Sequence, residues 1–236
     1  MTGSGSVTLK TIAHIHTDFP EKFGIPRQSG LIPELMGTII FEPAYRNPDA
    51  LRGLDGYDYI WLLWGFQGTE RAEWSPTVRP PRLGGNRRMG VFATRSPFRP
   101  NPIGLSSVKL EEIGQGADGP FLRVSGIDMR AGTPIYDIKP YLPYADSHAD
   151  ARGGFSDAVE YPFRTDELDV EFPNHLLAQI APQKRQALMS VLKQDPRPHY
   201  QQDPGRIYGM TFDRYNVQFM VDGNRLSVTG ISFRQI

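Results

Sequence analysis

The stretch YDYIWLLWGF at residues 57–66 contains the longest apolar run of the chain and decides the fold class. It consists mostly of aromatic and aliphatic residues, which are typical of β-strands. Because the run is apolar almost throughout, it fits a strand buried on both faces better than a strand at the edge of a sheet. We therefore expect it at the centre of a β-structure.

Short β-rich runs continue on both sides of this stretch and are separated by glycine, proline and aspartate. None of them has a long helical period, and the pattern predicts a closed or nearly closed β-barrel. A short helix is expected at residues 48–54, since Asn47 is a suitable cap and Pro48 fits the first turn. The runs are VTLKTIAHIH (7–16), GTIIF (37–41), YDYIWLLWGF (57–66), MGVFAT (89–94), SSVKLEEI (106–113), FLRVSGI (121–127) and PIYDI (134–138).

The pattern changes near residue 162. Residues 174–193 have a helical period, and Pro182 predicts two helices or a kink there. Three β runs follow, and Asp222-Gly223-Asn224 predicts a hairpin between the last two. We therefore predict a mainly β protein, with a single-sheet β-barrel domain at residues 1–162 and a small α+β domain at residues 163–236.

The composition excludes several classes of protein. The 236 residues carry 26 Lys and Arg against 26 Asp and Glu, so the net charge indicates no ligand. The absence of cysteine removes disulfides, thiolate zinc sites and a cysteine nucleophile. No apolar run is typical of a signal sequence or long enough to cross a bilayer, so we expect a cytoplasmic protein without a membrane partner.

Positive charge is nevertheless concentrated between residues 74 and 110, where there is no acidic residue. The interleaved proline and glycine place most of these side chains on loops, from which guanidinium groups can bind phosphates. A solvated loop surface is the alternative to an RNA or phosphate ligand. The basic residues are Arg79, Arg82, Arg87, Arg88, Arg95, Arg99 and Lys109.

A second candidate site is the segment DIKPYLPYAD at residues 137–146. Its prolines restrict the backbone, so Tyr141 and Tyr144 can be held as stacking surfaces with little entropy left to lose. A packed surface turn is the alternative to a base-stacking pocket. A third candidate is the loop at residues 22–30, either a simple connection or a ligand loop with Arg27 and Gln28 as polar contacts.

Other chemistry has little support in the sequence. His14 and His16 lie on one face of a strand, but Asp18 is the only carboxylate nearby, so no metal site is expected. No glycine-rich phosphate loop opens a helix, which disfavours a Rossmann fold. No serine has the G-x-S-x-G setting of a hydrolase.

Several strings resemble, in order and spacing, the S-adenosylmethionine-dependent tRNA N6-methyltransferases that act on threonylcarbamoyladenosine at position 37. The resemblance runs from about Ile12 to the C-terminus. It implies a non-Rossmann β-barrel methyltransferase that is a homodimer, with its cofactor pocket near the subunit contact and a tRNA anticodon loop as substrate. The strings are KFGIPRQSGLIPE (22–34), GLDGYDYIWLL (53–63), RPPRLGGNRRMGVFATRSPFRPNPIGLSSVKL (79–110), GTPIYDIKPYLPYADS (132–147) and DPRPHY (195–200).

The resemblance also implies which residues bind S-adenosylmethionine. They come from the first loop, from the end of the apolar strand, from the ATRSP motif and from the segment before the last barrel strand. The implied residues are Pro26, Arg27, Gln28, Phe66, Gln67, Arg95, Leu105, Asp128, Met129, Arg130 and Ala131.

The remaining assignments concern the tRNA. We expect Asp137 to accept a hydrogen of the adenosine N6 group, and Tyr141 and Tyr144 to stack on the base. Arg99 or Lys139 is the expected partner of the threonyl carboxylate. Phosphates of the tRNA are expected on Arg79, Arg82, Arg87, Arg88 and Arg99.

Two other functions use the same residues. One is a non-catalytic RNA-binding module that employs the arginines and tyrosines without a methyl donor. The other is a protein that senses S-adenosylmethionine and has no RNA substrate. Affinity for the cofactor and salt-dependent binding of tRNA distinguish the three functions.

Overall fold

The computed structural model describes residues 7–68, 74–80, 83, 87–157, 167–197 and 203–234. In chain order its strands are β1 (Ala13–Thr17), β2 (Met36–Phe41), β3 (Tyr59–Gly65), β4 (Thr77–Val78), β5 (Met89–Gly90), β6 (Ile103–Gly116), β7 (Gly119–Ser125), β8 (Thr133–Pro140), β9 (Asp169–Glu171), β10 (Tyr208–Phe212), β11 (Tyr215–Asp222) and β12 (Arg225–Phe233). Its α-helices are α1 (Pro143–Asp146), α2 (Asn174–Leu177) and α3 (Pro182–Lys193). Short 3-10 helices are Pro43–Tyr45, Pro48–Leu51, Leu54–Gly56, Val91–Ala93 and Gly154–Ser156.

The N-terminal strands form a closed antiparallel barrel in the order β1-β2-β7-β6-β3-β8, which confirms the predicted fold class. Pairing of β1 with β8 closes the sheet, and Ile15 lies opposite Thr133 there. The run MGVFAT is not a barrel strand. Its first two residues form β5 against β4, and Val91–Ala93 turns into a 3-10 helix. Once β1 and β8 pair, no free edge is left for another barrel strand.

Strand β3 is buried on one face only. Ile60, Leu62 and Trp64 point into the barrel and are buried, whereas Trp61 and Leu63 on the outer face are partly exposed. The prediction of burial on both faces is wrong for this chain because inward and outward side chains alternate along a barrel strand. An apolar outer face therefore remains on β3.

The C-terminal region contains a sheet in the order β10-β11-β12-β9, with α3 packed against it. Helix α2 ends at Leu177 and α3 begins at Pro182, so the predicted interruption of the helix is confirmed. The hairpin between β11 and β12 turns at Gly223, which has a φ of 55°. Strand β9 carries no alternating apolar pattern and is held by parallel pairing with β12.

A partly buried ion pair and a buried ring contact join this sheet and α3 to the barrel. Lys184 of α3 donates to the Asp18 carboxylate at 2.5 Å, and the Phe19 and Phe212 rings meet edge to face at 5.6 Å. Burial raises the pKa of Asp18, against the opposing effect of Lys184. The domain boundary that we predict near residue 162 lies outside the described residues and stays a prediction.

No helix in the described ranges is both long and apolar enough to cross a membrane.

Gly104 on β6 allows a close approach that shapes the barrel interior. A Cβ atom at this position would lie 2.2 Å from the Trp64 ring, far inside van der Waals contact. The Trp64 indole packs in the core and donates from Nε1 to Ser106 Oγ at 2.9 Å. The absence of a side chain at residue 104 therefore sets the position of Trp64.

Replacing Gly104 by alanine forces the Trp64 ring to move, so we expect Gly104→Ala to lower the free energy of unfolding by about 1 to 3 kcal/mol. Thermal melting measures the loss. The matched control is Gly56→Ala, because a Cβ atom at Gly56 meets nothing within 4 Å. Equal melting temperatures for the two variants would contradict this account of Trp64.

Candidate active site

One end of the barrel collects three long connections. Strand β1 ends at Thr17, β3 at Gly65 and β7 at Ser125, and these three strands run in the same direction because neighbouring barrel strands are antiparallel. The connections that follow them, at residues 18–35, 66–102 and 126–132, therefore emerge on the same side. We call this side the loop end of the barrel.

Nearly all residues that we predict to bind S-adenosylmethionine lie at the loop end. Leu105 is the exception, because it lies on the outer face of β6 and is 54% exposed. The residues at the loop end are Pro26, Arg27, Gln28, Phe66, Gln67, Arg95, Asp128, Met129, Arg130 and Ala131.

A chain of hydrogen bonds connects this end to the barrel core through Asp128. Ser106 Oγ donates to Asp128 Oδ1 at 2.7 Å and itself accepts from Trp64 Nε1. The backbone N–H of Ser29, in the first loop, also donates to the Asp128 carboxyl. Asp128 thus holds the first loop against the core.

Burial and the neighbouring groups shift the pKa of the Asp128 carboxyl in opposite directions. Burial raises the pKa of the Asp128 carboxyl, while the donors from Ser106 and Ser29 and the positive charge of Arg95 act to lower it. Arg95 also donates a hydrogen bond to the side-chain carbonyl of Gln28. Arg95, Gln28 and Asp128 come from three separate connections, so the fold brings these three predicted residues together.

Gln67 and the segment after β7 form a second group of contacts. The Gln67 amide donates to the Gly132 carbonyl at 2.8 Å, and its oxygen accepts from Arg130. The Met129 side chain is buried and its carbonyl accepts from Thr17 Oγ1 at 3.0 Å, so Met129 supports the backbone from the core. Gln67 therefore ties the end of β3 to this segment.

The residues that we predict to act on the adenosine lie along β8 and after it. Asp137 and Lys139 form an ion pair at 3.1 Å. The Tyr141 ring packs against Trp61 with centroids 5.6 Å apart, while Tyr144 on α1 is 86% exposed. Tyr141 therefore has a packed side, and Tyr144 is open to solvent.

Asp146 anchors the turn that carries these tyrosines. Its Oδ2 accepts from the Leu142 backbone N–H at 2.8 Å and from Trp61 Nε1 at 2.9 Å. These donors lower the pKa of the Asp146 carboxyl. The DIKPYLPYAD segment is thus fixed to the outer face of β3.

Within one chain, Tyr141 lies at the start of β3 and Gln67 lies beyond its end, whereas Asp137 lies between them, opposite Leu63. The Tyr141 N–H donates to the Tyr59 carbonyl at the start of β3, whereas Gln67 follows its end. Eight residues of extended chain separate Tyr59 from Gln67, roughly 26 Å at the rise of a β-strand. Leu105 lies nearer the residues that we predict to act on the adenosine. Leu63 pairs with Leu105 on one side and with Asp137 on the other, so Leu105 and Asp137 are two strand spacings, or about 10 Å, apart.

The predicted phosphate contacts are on the surface at the loop end. Arg79, Arg87 and Arg88 are exposed, and Arg88 donates to Thr77 Oγ1 at 3.0 Å. Arg99 is partly buried and donates to the Thr94 carbonyl at 3.0 Å. Arg82 lies outside the described residues.

Sequence reasoning missed Ser106, Trp64 and Asp146. Ser106 is a polar residue at an inward position of β6, where buried hydroxyl groups need a partner. The alternation of inward and outward residues along β6 indicates that Ser106 is buried. The sequence does not show that its partner is Asp128. Across the described part of the chain, no group of three or more His, Asp or Glu side chains is placed to hold a metal ion.

Two family models match the chain. The model described as the tRNA-methyltransferase O N-terminal domain matches residues 14–147, and the TrmO C-terminal domain matches residues 165–234.

Individual relatives match over most of their length. A tRNA (adenine(37)-N6)-methyltransferase of Escherichia coli K12 is 40% identical over 92% of this chain and 94% of its own. A protein of Pseudomonas aeruginosa, whose name describes an S-adenosylmethionine-dependent methyltransferase, is 43% identical over 86% of this chain and 87% of its own.

The fold is similar to that of a solved relative. The crystal structure of TrmO from Pseudomonas aeruginosa matches with a TM-score of 0.80 and 33% identity, covering 99% of this chain and 100% of that one. Sequence and fold thus agree over both the barrel and the C-terminal sheet. The chain belongs to the tRNA-methyltransferase O family.

Proposed function

We propose that this protein transfers a methyl group from S-adenosylmethionine to N6 of threonylcarbamoyladenosine at position 37 of tRNA. The observation that carries the proposal is the meeting of Arg95, Gln28 and Asp128 at the loop end of a barrel of this family. Such an enzyme acts on tRNA in the cytoplasm, which is the location we propose.

The residues at the loop end fit the proposed cofactor. The amino-acid end of S-adenosylmethionine carries an ammonium and a carboxylate. The Asp128 carboxylate has the charge that complements the ammonium, and the Arg95 guanidinium has the charge that complements the carboxylate. Phe66, with its ring 4.4 Å from that of Trp64, supplies an apolar surface for the adenine. When bound, S-adenosylmethionine supplies a methyl group that its sulfonium has already activated.

The chain's own task is to align the adenosine amine and to exclude water. We assign Asp137 to accept a hydrogen from N6, which moves the nitrogen lone pair out of conjugation with the ring. Lys139 holds the Asp137 carboxylate at 3.1 Å and is a partner for the threonyl carboxylate. Tyr141 and Tyr144 stack on the base, which an anticodon loop presents unpaired.

We further propose that the active site is shared between two copies of the chain. The outer face of β3 and β6 is apolar, with Trp61, Leu63, Ile103 and Leu105 all exposed or partly exposed. Contiguous apolar surfaces of this kind mark interaction sites. If a twofold axis passes perpendicular to β3 at its centre, β3 of one copy runs antiparallel to β3 of the other. The tyrosines of one copy then lie beside the loop end of the partner, which removes the separation of roughly 26 Å within one chain.

The function is tested with purified protein, methyl-labelled S-adenosylmethionine, and tRNA with or without the threonylcarbamoyl group. We expect label on N6 of the modified tRNA. Asp137→Asn is expected to lower the single-turnover rate on the order of a hundredfold, because a charge that stabilises the transition state is lost. Melting temperature and cofactor affinity should stay unchanged in this variant. Binding of tRNA without any transfer of label would instead support the non-catalytic RNA-binding module.

Asp128 predicts a pH dependence of cofactor binding. Its raised pKa means that it is protonated at a higher pH than an ordinary aspartate, for which the pKa is about 3.9. As the pH falls through this window, the charge facing Arg95 is lost, so we expect affinity for S-adenosylmethionine to fall. The folded state binds more protons than the unfolded state there, so the same change raises the free energy of unfolding.

Calorimetric titrations at several pH values measure the affinity, and thermal melting measures the stability. Asp128→Asn should remove both pH effects. Asp150→Asn, which changes an exposed aspartate, is the control and should keep them. An affinity that does not change with pH in the unmodified protein would contradict the role of Asp128.

Shared active sites predict complementation between two inactive variants. Arg95→Ala damages the cofactor set and Tyr141→Ala damages the base-stacking set, so each homodimer is impaired at both sites. A mixed dimer carries both changes in one site and none in the other. After subunit exchange between equal amounts, we expect about a quarter of the unmodified activity. If the mixture gives only the mean of the two variants, each site is contained within a single chain.

A further inference from the structure

We propose that Trp74 and Phe92 form a stacking site for an unpaired base of the RNA, separate from Tyr141 and Tyr144. The inference rests on the proposed function, since it concerns how the same substrate is held. The two rings lie 6.1 Å apart with 30° between their planes. Trp74 is 53% exposed and Phe92 is 72% exposed. Large aromatic side chains with so much open surface are typical of binding sites.

Local backbone contacts hold this pair in place. Strands β4 and β5 pair Thr77 with Gly90, and the Val91 N–H donates to the Pro76 carbonyl at 2.9 Å. The Val91 side chain is buried, while Phe92, the next residue, points outward. The rings are thus presented on an ordered backbone, so little conformational entropy is lost when a ligand binds.

The surroundings of the pair favour a polyanion. Arg79 follows Val78 and Arg88 precedes Met89, the two residues of a cross-strand pair, and Arg87 precedes Arg88. All three arginines are exposed, and within the described ranges none pairs with an acidic side chain. Exposed aromatic rings beside guanidinium groups that have no acidic partner in the described ranges match single-stranded nucleic acid, which offers base faces and phosphates together. A duplex hides its base faces inside the stack.

A second copy of the chain is a poorer occupant of this surface. In a twofold dimer a patch near the axis meets its own copy, and this patch would then bring arginines against arginines. Such contact between like charges is unfavourable. RNA has the complementary charge.

The position of Phe92 also fits a substrate loop. Phe92 precedes Arg95 by three residues, so their Cα atoms are at most about 11 Å apart. Arg95 belongs to the proposed cofactor set at the loop end. A single-stranded loop whose target base reaches that end can therefore place a neighbouring base on Trp74 and Phe92.

Binding of an unmodified anticodon stem-loop RNA to the full-length protein tests the proposal. We expect Trp74→Ala and Phe92→Ala each to weaken affinity on the order of tenfold to a hundredfold. Trp74→Phe should retain most of the affinity and lose the RNA-dependent change in tryptophan fluorescence. Phe233→Ala is the matched control, because Phe233 is 57% exposed and lies on the C-terminal sheet.

The dependence of affinity on salt separates stacking from charge. The slope of log affinity against log salt should stay unchanged in Trp74→Ala, and should become shallower by roughly 0.7 to 0.9 in Arg88→Ala. Affinity for S-adenosylmethionine should be the same in all these variants.

Three results would overturn the stacking site. If Trp74→Ala binds the RNA as tightly as the unmodified protein, while that protein methylates tRNA, the stacking site is wrong and the proposed function stands. If Trp74→Ala converts a dimer to monomers without RNA present, the pair belongs to a subunit interface. If the unmodified protein neither binds nor methylates tRNA, both proposals fail.

Discussion

Pairing of β1 with β8 is the interaction on which the rest of the structure depends. It closes the sheet, so the barrel strands have partners on both sides and all connections must leave from one end or the other. The antiparallel order then places the connections after β1, β3 and β7 at the same end. Gln28, Arg95 and Asp128 meet there although none of them lies in a helix or strand. Closure thus assembles the candidate site from loops that are far apart in sequence.

The interior of the barrel also determines the electrostatics of this site. Gly104 admits the Trp64 ring, Trp64 donates to Ser106, and Ser106 donates to Asp128. Each step satisfies a polar group that burial would otherwise penalise. Packing in the core and the pKa of the Asp128 carboxyl are therefore linked through Ser106.

Closure has a second consequence, because it also separates groups. Successive barrel strands alternate in direction, so the turn after β8 opens at the end opposite to the loop end. Tyr141 and Gln67 are therefore separated by the length of β3 within one chain. The outer face of β3, which carries Trp61 and Leu63, is apolar and lies between them. The twofold contact that we propose across that face would bring the two sets together.

The sequence by itself determined the mainly β class, the break at Pro182, the hairpin at Gly223 and the family resemblance, because these depend on local turn chemistry, alternation and specific strings of residues. It also named the loop residues Arg95, Gln28 and Asp128. Tertiary structure alone decided that MGVFAT leaves the barrel, that β9 joins β12, that Ser106 connects the core to Asp128, and that the tyrosines lie far from the loop end. The physical reason is that strand order, closure and register depend on pairings between residues distant in the chain, and one sequence shows alternation along a strand but not which strand lies beside it.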